Sequence, residues 1–239
     1  MAKEDKLKVE LLAYTSDPEQ NVVAAIRQCY SSVGAEELKE KTKKEVRERL
    51  INQVVESGHT STIEHAVFTF AIEGISRACS HQLVRHRIAS FSQQSQRYVD
   101  LSRNRLNYIT PPMLTGNKEI EKEYKKTMKL IEAQYKKMIE LGIKPEDARY
   151  ILPNACETKI VVTMNARSLH NFFRERCCTR AQWEIRQLAN LMLKEVKKIA
   201  PIIFQNAGPT CETEKICWEG KMSCGKWQNI KGAQLLSRI

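Results

Sequence analysis

Ala66 to Val99 reads AVFTFAIEGISRACSHQLVRHRIASFSQQSQRYV. Ala66 to Glu73 alternates as a strand, with Val67, Thr69 and Ala71 on one face and Phe68, Phe70 and Ile72 on the other. Both faces carry apolar residues, which predicts a central strand of a sheet. It delivers the chain into Gly74 to Val99, which holds Arg77, Arg85, Arg87 and Arg97 with His81 and His86 and no carboxylate. A planar guanidinium grips phosphate or carboxylate through two parallel hydrogen bonds, which a lysine point charge cannot do. Between Ser90 and Gln96 the run continues as hydroxyls and amides, groups that donate and accept without repelling an anion. One reading is therefore an anion cradle. The other is a solvated helix face, since Arg77, His81 and Arg85 fall at i, i+4 and i+8 around a buried Cys79 and Leu83. Solvated faces mix signs as i,i+4 pairs and these cations have no acidic neighbours, but composition leaves both readings open.

Working outward, Lys8 to Tyr14 reads as a short strand, Asn21 to Ser31 as a buried helix, and Glu36 to Ser57 as one longer amphipathic helix closed by Gly58. In His59-Thr-Ser-Thr-Ile-Glu-His65, Ser61 and Glu64 have capping-box spacing. Beyond Tyr98 the segment Asn104 to Pro112 turns, and Pro111-Pro112 rules out regular structure there. Lys118 to Leu141 is a long helix with a stripe of Ile120, Tyr124, Met128, Ile131, Tyr135 and Met138, ended by Gly142. Pro145 to Asp147 opens a short helix just before Arg149, and Lys159 to Met164 is a β-branched strand. The strand runs into Asn165 and Arg167 at a strand-to-helix corner with Ser168 as the expected cap; helix N-termini favour anions. Thr179 and Gln182 have the spacing of a second capping box, opening a helix that runs to Pro201.

The string Arg85-His86-Arg87 followed by Ser90, Gln93, Ser95, Gln96, Arg97 and Tyr98 is similar to the RHRxxS…S.RY signature of the flavin-dependent thymidylate synthases. His59 to His65 resembles that family's H.T..EH segment, and Arg149 with Leu152-Pro153 its AR..LP segment. Asn165 to Arg186 resembles its block N.RSL.NF…R…AQWEIR. Two positions depart from the usual pattern: Ser92-Gln93 stands in place of Asn-Glu, and Arg180 in place of a histidine. An amide at Gln93 keeps an ability to bridge two ligands but not a proton-transfer role.

The resemblance implies an α+β fold, a mixed or antiparallel central sheet flanked by long helices, in a single domain over residues 1–239 with a cysteine-containing tail from about 205 to 239. It implies a homotetramer with active sites shared between subunits, acting in the cytoplasm on dUMP. The activity implied is reductive methylation to dTMP, with FAD as cofactor and NADPH and 5,10-methylenetetrahydrofolate as co-substrates. By the same resemblance Gln82, Arg85, Gln93, Ser95, Gln96, Arg97, Arg149 and Arg176 hold the nucleotide, with Arg176 catalytic at the uracil ring. His59, Ser61, Glu64, Arg85, His86, Arg87, Gln93, Asn165, Arg167 and Asn171 meet the flavin. No metal is expected. The rival is a non-catalytic nucleotide- or RNA-binding module using the same basic stretch.

Composition bounds these readings. The chain has 239 residues, 42% hydrophobic and 28% charged, typical of a soluble globular protein with a real core. A net charge of +11 suits nucleic acid, an anionic surface or a small polyanion. The lysines of Glu36 to Arg49 and Lys118 to Lys144, however, stand among glutamates as solvated faces do, and no zinc-finger spacing or RNA-binding sheet pattern is present. The N-terminus lacks the apolar core of a signal peptide, and no apolar run approaches the about 18 residues of a membrane span, so a cytosolic protein is expected. The eight cysteines then read as reduced thiols. Cys177 and Cys178 follow Arg176 and invite a nucleophile reading, since a thiolate beside arginine has a lowered pKa. The Pro-Cys-His context of the classical thymidylate synthases is absent, and the resembled family uses flavin hydride without an enzyme thiol. Cys211, Cys217 and Cys224 are spaced more widely than zinc-knuckle ligands.

Overall fold

The computed structural model describes residues 7–40, 42–103 and 106–229. In chain order the main elements are β1 (Lys8–Tyr14), α1 (Pro18–Gln28), α2 (Ala35–Glu40), α3 (Lys44–Glu56), a 3₁₀ turn (Thr60–His65), β2 (Val67–Ser76), α4 (Arg77–Leu83) and β3 (Ser90–Gln93). There follow α5 (Pro112–Thr115), α6 (Lys118–Glu140), α7 (Pro145–Ala148), β4 (Glu157–Asn165), α8 (Ala166–Arg176), α9 (Trp183–Ile199), α10 (Thr210–Glu214), β5 (Ile216–Cys217) and β6 (Gln228–Asn229). One antiparallel four-stranded sheet has the order β1-β2-β4-β3, and β5 pairs parallel with β6. The class is α+β as expected, and β2 is an interior strand with Phe68, Phe70 and Ile72 fully buried.

The chain divides into two compact units. The first takes in Ala71–Arg85 and Phe91–Val161, the second Val9–Phe70, His86–Ser90 and Val162 onward.

In the first unit, Ser76 caps α4 by accepting from Cys79 N, and the Arg77 and Ala78 N–H groups donate to Cys156 O and Asn154 O at 2.9 and 3.0 Å. The N-terminus of α4 is thereby closed by protein rather than open to an anion. Cys79 and Leu83 are buried, so the helix of the solvated-face reading is real, but it ends at Leu83 and leaves Arg85 beyond it. Asn117 caps α6 through Glu119 N and Ile120 N, and Gly142, at φ 87, ends the turn after it in a conformation that favours glycine. Of the α6 stripe, Met128 and Tyr135 are buried while Ile120 is exposed. Pro112 opens the short helix α5, against the expectation of irregular chain, because proline at the first helical position donates nothing that the helix needs. The expected turn from Asn104 starts on residues 104–105, which lie outside the described residues.

In the second unit, the expected single helix over Glu36 to Ser57 is two helices, because Lys43 is extended (φ −65, ψ 152) and starts α3 afresh. Glu19 accepts from Ile202 N at 2.7 Å, tying α1 to the end of α9. Phe204 sits in an aromatic cluster, edge-on to Phe68 at 5.5 Å and stacked on His170 at 5.2 Å. Each fully buried phenylalanine contributes about 2–3 kcal/mol of apolar burial. α8 packs against the 3₁₀ turn and against α9, and Ala166 N donates to Ala66 O at 2.8 Å. The expected caps are displaced. Asn165 rather than Ser168 caps α8, accepting from Ser168 N at 2.8 Å, and Gln182 rather than Thr179 caps α9. Ser61 makes no cap, since the turn starts at His59 with no side-chain capping bond. In each case an amide oxygen or a tight turn supplies what the hydroxyl spacing suggested.

Candidate active site

The residues that the sequence singles out fall into both units. In the first, β3 and the loop after it carry Gln93 to Arg97, and each is held differently. Gln93 Nε2 donates to the buried Ser80 Oγ at 2.8 Å and to Thr158 Oγ1 at 3.1 Å, so both amide hydrogens are spent and the oxygen is the group left to meet a ligand. Gln96 hydrogen-bonds the thiol of Cys156, which burial pushes up to about 11. Ser95 Oγ accepts from Arg97 N at 3.1 Å, fixing the turn that presents Arg97.

Arg97 then forks onto Glu146 of α7, with Nε and Nη2 at 3.2 and 2.9 Å from Oε2. This hydrogen bond raises the Arg97 pKa and lowers that of Glu146. Arg149 Nε donates to Glu146 O at 3.0 Å, so Arg97 and Arg149 gather at one residue. Arg77 is half-buried, and desolvation, with the Arg149 charge adding to it, lowers its pKa. Gln82 is half-buried and Arg85 exposed.

In the second unit, Arg176 at the end of α8 donates from Nε to His86 Nε2 at 3.1 Å. His86 also stands edge-on to Phe172 at 4.9 Å. Burial lowers the His86 pKa and the Arg176 cation lowers it further, while Glu175 opposes. The ring is therefore neutral near pH 7, with Nε2 as acceptor and the proton on Nδ1. A neutral acceptor fixes the guanidinium without cancelling its charge, while the Glu175 carboxylate lies 3.8 Å from Nη2.

Arg167 Nη1 meets Glu64 Oε1 at 2.6 Å, a link between the 3₁₀ turn and α8. A cavity of about 470 Å³ opens beside it, lined by Thr60, Ile63, Arg167, Asn171, Arg174, Ala207 and Glu214 among others. Arg167 and Asn171 are thus brought to one cavity, whereas Asn165 is committed to its capping bond. His59 lines a different cavity, and Ser61 and Arg87 are exposed.

Sequence reasoning missed Thr60, Arg174 and the wall formed by residues 206–214. Arg174 stands two residues before Arg176 and could have been taken from the arginine run; nothing local marks residues 206–214. Of the two departures, Gln93 is anchored as above, and Arg180 Nε pairs with Glu219 Oε2 at 3.5 Å. Among the described residues no group of histidine, cysteine and acidic side chains could hold a metal ion, and no helix is long and apolar enough to cross a membrane.

Residues 10–202 match the family described as thymidylate synthase complementing protein. A protein of Clostridium tetani named flavin-dependent thymidylate synthase is 50% identical, covering 94% of this chain and 96% of its own length. One of the same name from Geobacter sulfurreducens is also 50% identical, covering 94% and 97%. Among solved structures, a UMP/dUMP methylase, PolB, from Streptomyces cacaoi bound with 5-Br dUMP superposes with a TM-score of 0.71 over 84% of this chain and 93% of that one. At 22% identity that likeness speaks for the fold. These relatives give no support to the RNA-binding reading.

Proposed function

This chain belongs to the flavin-dependent thymidylate synthase family, and on that premise we propose that it is a methyltransferase converting dUMP to dTMP. Methylenetetrahydrofolate gives the one-carbon unit and NADPH the reducing electrons. FAD, when bound, would supply hydride chemistry that no side chain can perform.

The donor set fits such a cofactor. Cation, amide and hydroxyl meet at the cavity of Arg167, Asn171, Arg174 and Thr60, the mixture that a pyrophosphate and a polar ring edge require. His59, Ser61, Glu64, Arg85, His86, Arg87, Gln93, Asn165, Arg167 and Asn171 would hold it. Glu64 acts through Arg167, whose fork it orients.

Gln82, Arg85, Gln93, Ser95, Gln96, Arg97 and Arg149 would hold the nucleotide, with Gln93 accepting through its oxygen because its amide hydrogens are taken. Arg176 is the catalytic residue. With Nε spent on His86, its terminal N–H groups form the fork that meets the N3 and carbonyl edge of uracil. Negative charge stabilised there makes carbon 5 nucleophilic, an effect of ~3 kcal/mol for one well-placed donor. His86 holds its proton at Nδ1 and cancels none of the Arg176 charge, which the Glu175 carboxylate at 3.8 Å offsets only in part. Family membership also supports a cytoplasmic homotetramer with shared active sites, needing neither metal, nucleic acid nor membrane.

The observation that carries this reading is the Arg176–His86 bond, which joins the two motif blocks through one oriented cation. A yellow purified protein, or one that becomes so with added FAD, and that forms dTMP from dUMP, methylenetetrahydrofolate and NADPH, is the expected result. A sample that stays colourless with FAD and forms no dTMP overturns it.

A further inference from the structure

A second cavity of the second unit, of about 700 Å³, is walled by α1 and α3 and carries three cations, Arg27, Lys43 and Arg49. Among the described residues lining it there is no carboxylate. Nor do these three cations pair with a carboxylate among the described residues, although Glu45 stands four residues before Arg49, the spacing of a helix pair. That separates this surface from α6, where Lys125, Lys126 and Lys136 pair with glutamates of the same helix. Arg27 is held ready, with Nη1 donating to Leu38 O at 3.0 Å and to Thr42 Oγ1 at 2.9 Å. Beneath the cations are the buried Ile26 and the half-buried Leu50 and Val54, and Tyr30 leaves its ring 92% exposed. His59, a flavin candidate, lines the same cavity.

We propose that this cavity takes the γ-glutamyl tail of the folate co-substrate, an inference that rests on the function proposed above. Three features select that ligand. The occupant carries several separated negative charges, because the cations come from α1, from the residue before α3 and from α3 itself. A glutamyl chain, with a carboxylate on every unit, matches that spread, whereas the 2′-phosphate of NADPH is one compact dianion better met by a single fork. An exposed tyrosine ring suits stacking against the aminobenzoyl group from which the tail grows. His59, which the function proposed above gives to the flavin, lines this cavity and would lie beside such a ligand.

The test compares methylenetetrahydrofolate and its stable analogue tetrahydrofolate in monoglutamate and pentaglutamate forms. Binding is read by equilibrium dialysis and KM by dTMP formation, on the parent and on the double variant Lys43→Glu, Arg49→Glu. The parent should favour the pentaglutamate by about tenfold, as a few solvent-exposed charge pairs permit, and should lose that preference as salt rises. In the variant the ratio should fall to about one. Equal binding of the two forms by the parent overturns the proposal. So does a preference that survives the charge reversal, or a variant whose NADPH-over-NADH preference is lost instead. If the double reversal does not fold, Lys43→Gln with Arg49→Gln is measured in its place and the same ratio decides. A parent that forms no dTMP with either folate refutes the enzymatic reading, and the dialysis ratio then still decides on the cavity.

Discussion

Arg97 and Arg176 are both motif arginines, yet they are held in different ways. Arg97 lies in the first unit with its side chain 50% exposed, and its fork is closed onto the carboxylate of Glu146. Arg176 lies in the second unit at 25% exposure; its Nε rests on a neutral imidazole, and the Glu175 carboxylate stands 3.8 Å from Nη2, outside hydrogen-bond distance. A carboxylate partner orients a guanidinium and also cancels its charge, so a nucleotide must compete with Glu146 for Arg97. At Arg176 the neutral acceptor orients without cancelling, and Glu175, at 3.8 Å, offsets the charge only in part and closes no fork. Solvent screening, weak at a quarter-exposed group, leaves the Arg176 charge available to a ring that develops negative charge. The comparison assigns binding to the first arginine and chemistry to the second.

The sharpest way to break it is Arg176→Lys, which keeps the charge and removes the planar fork. The turnover number should fall by about 10²–10³, the loss typical of one transition-state donor, while dUMP affinity changes far less. Equal losses in both constants would place Arg176 among the plain binding residues and erase the contrast with Arg97.

His86→Ala tests the orienting partner and should come next in size. Flavin retention and turnover should each fall by roughly 10–100-fold, the cost of losing a group that aims a functional one. Arg167→Ala, which frees Glu64, should lower flavin occupancy without touching Arg176. Unchanged occupancy in both variants would move the flavin elsewhere. The same imidazole gives a pH signature. Its pKa in the fold lies below the ordinary 6.5, as does that of the half-buried His170, so the unfolded chain binds more protons over the interval beneath 6.5. Stability should thus be complete above about pH 6.5 and decline as pH falls through the lowered values. His86→Gln should flatten part of that decline in a thermal-unfolding series run against pH; an unaltered profile would deny His86 its neutral, half-buried role.

How much of this was readable beforehand depends on range. Period and punctuation are local, so β2, α6 and the left-handed glycines Gly58 and Gly142 were legible from residues close by. Capping was misread because hydroxyl spacing suggested Ser61, Ser168 and Thr179, while Asn165 and Gln182, with a carbonyl oxygen on a short or extended arm, won at two of those sites. The break between α2 and α3 has no proline or glycine to announce it, since it rests on the backbone of Lys43. In the site, the resemblance named His86 and Arg176 but assigned them to different ligands; that one holds the other, across 90 positions of sequence, is a tertiary fact. The wall of residues 206–214 beside Arg167 is of the same kind, and lies beyond the span that matches the family.

Glu146→Gln addresses the other arm of the comparison and should do less. It leaves Arg97 a neutral neighbour in place of a carboxylate, which should strengthen dUMP binding by less than about tenfold and leave turnover at saturating dUMP unchanged. The gain should shrink as ionic strength rises, because both groups are exposed. A weakened affinity would mean that Glu146 positions Arg97 rather than competing for it.

The smallest effect is expected at the thiols beside Arg176. If the Arg176 charge served to activate Cys177, the contrast drawn here would fail, because the cation would be working on a nucleophile and not on the pyrimidine. The Cys177 environment argues the other way. Burial first and the Glu212 charge second push its pKa up to about 12, with Lys197 only partly offsetting them, so at pH 7 the thiolate is on the order of one molecule in 10⁵. Cys178 is half-buried, and its sulfur accepts from Arg180 N at 3.5 Å, a turn contact. Replacing both by alanine should cost some packing around Cys177, of about 1 kcal/mol in thermal unfolding, and leave dTMP formation within about tenfold of the parent. A double variant that is folded and flavin-bound yet slower by several orders of magnitude would put a thiol in the chemistry, and Arg176 would then have to be read as its activator.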